Sequence, residues 1–267
     1  MKPFEGKALS WNLSDRVIEL AMHVPPANEI GTAMLAELDQ FHLALQAASA
    51  EASVLIIHSQ LKAGFSAGGD LREMYIRMKE STPTEISMGI RESLTRSHAR
   101  LNAIDDSPLV TIAAVHGVCF GGGFELALTC DLIVADEMAR FCFPELRLGL
   151  IPGGGGIPRL KRDTRNGIVR DLLLTGRSIS AHKALAAGIV SEVTAEGGAL
   201  ELARSMAAQI KRLEVAARIA AKRLIKPIPH DELHREIEIF SQLFCQPAVV
   251  EGLRKFVKSA SLLPYLP

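Results

Sequence analysis

The sequence predicts an α/β fold with a largely parallel sheet, and two observations support this prediction. Over the first 199 residues of the 267-residue chain, short runs rich in Val, Ile and Leu alternate with stretches of helical periodicity. Strands that alternate with helices usually pair in parallel. From about residue 200 onward the pattern is helical only. We therefore predict an α/β core over residues 1–199 and a helical region over residues 200–267, which we expect to serve association between subunits.

The individual elements can be placed in chain order. Buried strands are predicted over residues 16–20, 54–58, 109–115, 132–135 and 189–193. Between the first two strands, apolar residues recur with a period near 3.6 and predict a helix: Leu35, Leu38, Phe41 and Leu45. Four more helices are predicted over residues 203–213, 215–224, 233–244 and 249–257.

One connection is unusually long for a compact domain. Between Asp70 and Pro108 the chain has a polar helical texture that is broken at residues 81–84. Insertions of this length are typical of lids and binding loops. The connection follows residues 65–70, a loop of small residues after a strand, so we expect it to lie beside a binding site.

Composition excludes several classes of protein. The chain is 48% hydrophobic and 22% charged, which is ordinary for a globular protein. Thirty basic residues balance thirty acidic ones, so neither nucleic acid nor an anionic membrane is expected as a partner. The polar N-terminus and the absence of a long apolar run predict a cytoplasmic location. Four cysteines without metal-ligand spacing predict free thiols and no metal site: Cys119, Cys130, Cys142 and Cys245.

The most informative segment is the glycine run at residues 121–123, directly behind the strand at 109–115. Glycines let the main chain approach a ligand closely, and the helix that follows aims its positive end at an anion or a polarised carbonyl. Glu125 lies in the first turn of this helix, and Glu145 follows another apolar stretch at residues 141–144. Two glutamates in apolar surroundings beside a donor loop suggest acid–base chemistry on a carbonyl compound.

The loop at residues 65–70 provides a second set of backbone donors. Each of the two loops could supply one N–H group to the same carbonyl oxygen, which is the geometry of an oxyanion hole.

Structural interpretations of the same residues remain open at this point. A glycine run before a helix is often a packing device, and neither a dinucleotide-binding nor a phosphate-loop spacing is present. Glu125 can be a helix N-terminal charge, and Glu145 can belong to a turn beside its preceding proline. Asp70 is interpreted as a structural cap and His116 as a structural residue. Residues 153–156 look like a phosphate cradle, but we favour a turn into a helix.

The ordered set of motifs resembles the crotonase superfamily. The resemblance rests on residues 65–71, 116–132, 141–160 and 174–190, and it extends essentially from end to end. It is strongest to the enoyl-CoA hydratase branch, because that branch uses two glutamates and both positions match here, at Glu125 and Glu145. The resemblance implies a spiral of ββα repeats, a C-terminal region that trimerises and completes the active site, and a homotrimer or hexamer.

The resemblance also implies roles for individual residues. The N–H groups of Ala67 and Gly122 would bind the thioester oxygen of an acyl-CoA, Glu125 would activate a water and Glu145 would deliver a proton. No metal or cofactor is implied beyond the coenzyme A of the substrate. The long connection would shape the acyl pocket. Residues expected to contact substrate or coenzyme A are Ala27, Lys62, Ser66, Ala67, Gly68, Asp70, Leu71, Gly121, Phe256 and Lys258.

Other activities on the same fold stay open. A double-bond isomerase, a decarboxylase or a thioester hydrolase would share the oxyanion hole. Some hydratase-like proteins bind RNA, but the balanced charge and the lack of a Lys/Arg-dense helix argue against that function here.

Overall fold

The computed structural model describes residues 1–259, apart from the side chains of residues 83, 84 and 87. The strands are β1 (Phe4–Glu5), β2 (Leu9–Ser14), β3 (Val17–Met22), β4 (Glu29–Ile30), β5 (Val54–Ser59), β6 (Gly64–Ser66), β7 (Gly68–Gly69), β8 (Val110–Val115), β9 (Val118–Phe120), β10 (Leu132–Asp136), β11 (Arg140–Cys142), β12 (Ile179–Ser180) and β13 (Glu192–Thr194). The α-helices are α1 (Thr32–Ala48), α2 (Leu71–Glu80), α3 (Pro83–Asp105), α4 (Gly122–Ala127), α5 (Gly156–Asp163), α6 (Asn166–Thr175), α7 (Ala181–Ala186), α8 (Ala199–Ile210), α9 (Val215–Ile225), α10 (His230–Phe244) and α11 (Pro247–Lys258). A short 3₁₀ helix covers Glu145–Leu148.

The largest sheet has seven strands in the order β1-β2-β3-β5-β8-β10-β13. Its first two pairings are antiparallel, and all pairings from β3 to β13 are parallel. A second sheet has the order β12-β11-β9-β6, and β4 pairs with β7 in a separate two-stranded sheet. The α/β class and the largely parallel pairing predicted from the sequence are confirmed.

The chain repeats one motif as it passes between the two larger sheets. β8 lies in the seven-stranded sheet, β9 in the four-stranded sheet, and α4 follows. β10 and β11 repeat this passage and lead to the 3₁₀ helix and α5. Because each repeat ends at the same side of the sheets, the first residues of the helical segments come together there. Glu125 and Glu145 both lie in such first turns.

The core fills both faces of the seven-stranded sheet. On one face the rings of Phe124, Phe141 and Phe143 pack together, with centroids 4.7 Å apart for Phe124 and Phe143. On the other face α8 covers the strands with Ala203 and Ala207. These small residues let the helix lie close to the valines and isoleucines of β5 and β8.

The remaining C-terminal helices have different environments. α10 packs on α3, and α11 packs on α2 and the 3₁₀ helix, so the end of the described chain closes over the long connection. α9 buries none of its residues. Its Leu224 and Ile225 are 84% and 78% exposed. None of the helices within residues 1–259 combines the length and the apolar composition needed to cross a bilayer.

The predicted elements are found with shifted ends. The last predicted strand, at residues 189–193, is observed as Glu192–Thr194, because the N–H groups of Ile189 and Val190 donate to Ala184 at the end of α7. The long connection forms two helices, α2 and α3, separated at the predicted break. Cys119, Cys130 and Cys142 are buried free thiols, and Cys245 is an exposed one.

Candidate active site

A cavity of about 200 Å³ lies between α2, α3, α10 and the N-terminus of α4. Glu125, Glu145, Gly69 and Gly122 line one end of it. The rest of its lining is mainly apolar and includes Leu35, Leu38, Leu71, Met74, Ile90, Leu94, Leu101 and Phe240. The cavity therefore joins a polar end with two carboxylates to an apolar chamber.

Glu125 is held from one side by the backbone. It is 5% exposed, and its Oε1 accepts hydrogen bonds from the N–H groups of Gly154 at 2.7 Å and Gly156 at 2.9 Å. Burial raises the pKa of Glu125, while these two donors and the charge of Arg159 act in the opposite direction. Because both N–H groups bind the same oxygen, Oε2 is left for the cavity.

Glu145 has the opposite kind of environment. Its Oε2 is inaccessible to solvent and has no hydrogen-bond partner within the described residues. Burial raises the pKa of Glu145 well above its usual range, and the neighbouring charge of Glu125 raises it further. The two carboxyls thus differ in a useful way: two N–H donors favour the ionised form of Glu125, and the isolation of Glu145 favours its protonated form.

Gly122 is the first residue of α4, so its N–H has no acceptor within the helix. The turn before it requires glycine at residue 121, where φ is +48° and a Cβ would lie 2.7 Å from Oε1 of Glu145. The N–H of Gly121 donates to the carbonyl oxygen of Cys142 at 3.0 Å. The structure therefore gives Gly121 a conformational role and leaves the Gly122 N–H as a donor at the cavity.

Ala67, the other predicted oxyanion donor, is not available. Its N–H donates to the carbonyl oxygen of Ala27 at 2.8 Å, and Ala67 does not line the cavity. Two neighbouring N–H groups are also engaged. The N–H of Gly68 donates to Oγ of Ser66 at 3.1 Å, and the N–H of Asp70 donates to the carbonyl oxygen of Ile30 at 3.2 Å.

Gly69 takes the place that the sequence assigned to Ala67. It is paired with Ile30 in the two-stranded sheet and lines the cavity. Successive N–H groups of an extended segment point to opposite sides. Because the N–H of Asp70 points to β4, the N–H of Gly69 points the other way, toward α4. A Cβ placed on Gly122 would lie 3.5 Å from the Gly69 nitrogen. The sequence could not show this difference between Ala67 and Gly69, because a loop of small residues does not reveal which N–H groups its own turn consumes.

The other residues predicted from the first loop divide into structural and lining residues. Ser66 is buried, and its Oγ donates to the carbonyl of Asn28 at 2.7 Å, so it fixes the loop. Asp70 caps α2 by accepting from the N–H of Glu73 at 2.9 Å, which confirms the structural interpretation. Leu71 lines the cavity.

The predicted coenzyme A contacts lie away from the cavity lining. Ala27 is buried, and Lys62 is exposed in the turn after β5. Phe256 is buried on α11 beneath the guanidinium of Arg72, whose carbon is 5.6 Å from the ring centroid. Lys258 is exposed at the last position of the same helix. Their roles in nucleotide binding stay predictions.

The glycine run at residues 153–156 is structural, as favoured from the sequence. The N–H groups of residues 154–156 donate to carboxylates, Glu125 on one side and Glu236 on the other. Glu236 is 4% exposed on α10, and it was not singled out in the sequence. The available signal was a carboxylate within the apolar stripe of Leu233, Ile237 and Phe240.

Arg159, on α5, anchors this glycine run through its guanidinium group. It is fully buried, its Nε donates to Asp105 at 2.7 Å, and its guanidinium also donates to the carbonyl of Gly154 at 2.8 Å. Positive neighbours, Lys226, Arg159 and Arg162, hold the pKa of Asp105 below its usual range against the effect of burial. The position of the loop, and through it that of Glu125, therefore depends on a buried ion pair.

Two backbone donors and two buried carboxyls at the end of an apolar cavity define the class: an enzyme that polarises a carbonyl group and moves protons beside it. The sequence pattern of the enoyl-CoA hydratase/isomerase family matches residues 12–261. The chain belongs to this family, and it is an enzyme of the enoyl-CoA hydratase/isomerase type.

Individual relatives agree with this assignment. The chain is 35% identical to the 2,3-dehydroadipyl-CoA hydratase of Escherichia coli K12 over 237 residues, 88% of either chain. It is 34% identical over 235 residues to the carnitinyl-CoA dehydratase of Citrobacter koseri, covering 87% of this chain and 86% of the relative. The crystal structure of an enoyl-CoA hydratase from Bacillus halodurans superimposes with a TM-score of 0.82 at 24% identity, over 93% of this chain and 99% of the other, and shows that the fold is the crotonase fold.

Proposed function

We propose that the protein adds water to the 2,3 double bond of an enoyl-CoA thioester, or removes it in the reverse direction. The observation that carries the proposal is the pairing at one cavity of an N–H-bonded Glu125 with an unpartnered Glu145. Both similar relatives described above are named for hydration or dehydration of acyl-CoA compounds, which supports the same reaction type.

The thioester carbonyl would accept hydrogen bonds from the N–H groups of Gly69 and Gly122. As the nucleophile attacks, charge develops on the carbonyl oxygen, and each such donor contributes about 3 kcal/mol to stabilising it. The positive end of α4 adds to this effect. The acyl chain would then extend into the apolar chamber, which side chains of α1, α2, α3 and α10 line.

The two glutamates would share the proton transfers. Glu125, ionised and fixed through Oε1, accepts a proton from water at Oε2 while the water oxygen bonds to the β-carbon. The electron pair of the double bond moves toward the thioester oxygen, and Glu145, protonated, delivers its proton to the α-carbon. One proton leaves the pair and one joins it, so the pair holds a single proton before and after the reaction. The reverse sequence is dehydration.

The product separates this reaction from its alternatives. Purified protein would be incubated with a panel of 2-enoyl-CoA and 3-enoyl-CoA thioesters, and product masses recorded. A mass gain of one water on the 2-enoyl substrates supports the proposal, an unchanged mass with a shifted double bond indicates an isomerase, and free coenzyme A indicates a hydrolase. Glu125→Gln and Glu145→Gln should each lower turnover by about 100-fold or more while acyl-CoA binding persists. Near-parental hydration by both variants would refute the two-glutamate mechanism.

We also propose that the chain assembles with copies of itself into a trimer or hexamer. α9 exposes Leu224 and Ile225 and buries none of its residues. Large apolar side chains exposed side by side are typical of a subunit interface.

A further inference from the structure

Four consecutive N–H groups, those of residues 154–157, alternate between two buried carboxylates. Gly154 and Gly156 donate to Oε1 of Glu125 at 2.7 and 2.9 Å. Gly155 donates to Oε1 of Glu236 at 2.6 Å, and Ile157 to its Oε2 at 3.1 Å. Glu236 therefore holds the same short segment from the face opposite Glu125, using both of its oxygens.

Backbone carbonyls of the segment are fixed as well. Nε2 of His98, on α3, lies 2.7 Å from the carbonyl oxygen of Gly153, and Arg159 donates to that of Gly154. Burial lowers the pKa of His98 to about 4, so the neutral ring donates from Nε2. The loop that carries the N–H donors to Glu125 is thus held from α3, α5 and α10 together.

The position of Glu236 is one where packing alone favours an apolar residue. Its neighbours on the same face of α10 are Leu233, Ile237 and Phe240, all buried. A buried carboxylate is costly unless it is well bonded, and a second one nearby increases the cost. Burial and the charge of Glu125 raise the pKa of Glu236 well above its usual range.

The charged groups that face this pair come from four elements. Arg159 on α5 is the cation nearest the loop, and it is already paired with Asp105 at the end of α3. Nε2 of His98 on α3 lies 3.8 Å from Oε1 of Glu236 and is neutral. Glu145 on the 3₁₀ helix acts on Glu125 from the cavity side. On α10 itself, His234 and Glu238 pair with each other on the exposed face.

We propose that Glu236 is a positioning residue for the hydration reaction: through the backbone of residues 154–157 it holds the N–H groups that fix the orientation of the Glu125 carboxylate. The inference rests on the proposed function only in that Glu125 is taken as the base. Its physical content is a hydrogen-bonded link between two carboxyl groups on opposite faces of one loop.

A pH shift tests this hydrogen-bonded link. In Glu236→Gln an NH₂ group replaces one of the two accepting oxygens, so one of the N–H groups of Gly155 and Ile157 loses its acceptor and the loop holds Glu125 less firmly. Weaker N–H bonds favour the ionised form of Glu125 less, and the acidic limb of kcat/KM should move to higher pH by about one unit. If Glu236 does not position Glu125, the limb should stay in place.

Two further variants complete the test. Glu232→Gln is the matched control, because Glu232 lies one turn earlier on α10, is exposed, and pairs with Lys161 on the surface. It should leave the limb and kcat unchanged. Glu236→Asp keeps both accepting oxygens but withdraws them by one methylene, so kcat should fall roughly 10-fold. This variant tests the proposal even if Glu236→Gln does not fold, since a parental kcat in a folded Glu236→Asp protein overturns it.

An infrared titration separates this inference from the reaction itself. The carboxyl band of Glu125 is located by difference between the parent and Glu125→Gln, and its midpoint is followed with pH in Glu236→Gln without substrate. An upward shift supports the link, and an unmoved or lowered midpoint overturns it. A parent that hydrates no enoyl-CoA would refute the proposed function and leave this measurement intact.

Discussion

Replacing Gly122 by proline removes one proposed oxyanion donor at a position where proline costs little else. Gly122 is the first residue of α4, and its N–H has no intrahelical partner to lose. Proline is favoured at this position of a helix because its fixed φ suits the first turn. The substitution therefore exchanges the N–H that faces the cavity for a ring carbon, while the helix itself should form as before.

The expected loss follows from the number of donors. Losing one of two oxyanion donors costs about 3 kcal/mol of transition-state stabilisation, or roughly 10²- to 10³-fold in kcat. Gly122→Ala is the control, because it keeps the N–H. Its Cβ would meet Ile30 Cδ1 at 3.4 Å and the Gly69 nitrogen at 3.5 Å, which are ordinary contacts. We expect this variant to retain activity within a few-fold of the parent.

The assay follows loss of the conjugated enoyl-thioester absorbance at several substrate concentrations, so that kcat and KM are obtained separately. Thermal unfolding and sedimentation of both variants establish that they fold and assemble as the parent does. A folded Gly122→Pro protein with kcat within a few-fold of the parent would refute the oxyanion role of this N–H. Equal losses in Gly122→Pro and Gly122→Ala would show that space, not the donor, is what the position requires.

Three further predictions concern stability and assembly. The pKa of Glu145 is raised in the folded state above its ordinary value of 4.5, so the stability associated with its neutral form is complete below that pH and is lost as pH rises through the folded-state pKa. Glu145→Gln should therefore raise the melting temperature at pH 8 and leave it unchanged near pH 4, and an equal gain at both pH values would contradict this. Arg159→Met should lower the free energy of unfolding by about 3–5 kcal/mol in urea titrations, because it leaves the buried Asp105 without the closest of its cations, and a loss below about 1 kcal/mol would contradict the anchoring role. Sedimentation at micromolar concentration should show a trimer or hexamer that Leu224→Glu shifts toward monomer, and a parent that sediments as a monomer would end this prediction.

Much of the fold could be read from local sequence. The strands β5, β8 and β10 are mainly apolar, as expected for strands buried on both faces of a parallel sheet, and β3 is apolar except for Glu19. Short strands such as β4 and β7 could not be predicted, because two residues carry no periodicity and pair only once distant segments meet. β7 contains Gly69, the donor proposed here, so the sequence-based choice of Ala67 has the same origin.

The sequence predicted the two glutamates of the site, because a carboxylate at the start of a helix after glycine or proline can be recognised locally. Glu125 follows a glycine run at a helix start, and Glu145 follows an apolar strand and a proline. Glu236 was missed because its partners, Gly155 and Ile157, lie about 80 residues earlier in the chain. Contacts of this range depend on how α10 packs against α5, which no local pattern specifies.

The chemical end of this cavity is made largely of main chain. The donors proposed for the substrate, at Gly69 and Gly122, and the donors that hold Glu125, at Gly154 and Gly156, are all peptide N–H groups. The chamber beyond them is made of side chains, most of them on α1, α2, α3 and α10. A substitution leaves the peptide N–H groups in place as long as the local conformation is kept. The wall of the chamber, in contrast, changes with each substitution of a side chain that lines it. Acyl preference can therefore diverge among descendants of this chain, or be redesigned on α2 and α3, while the catalytic half is inherited unaltered.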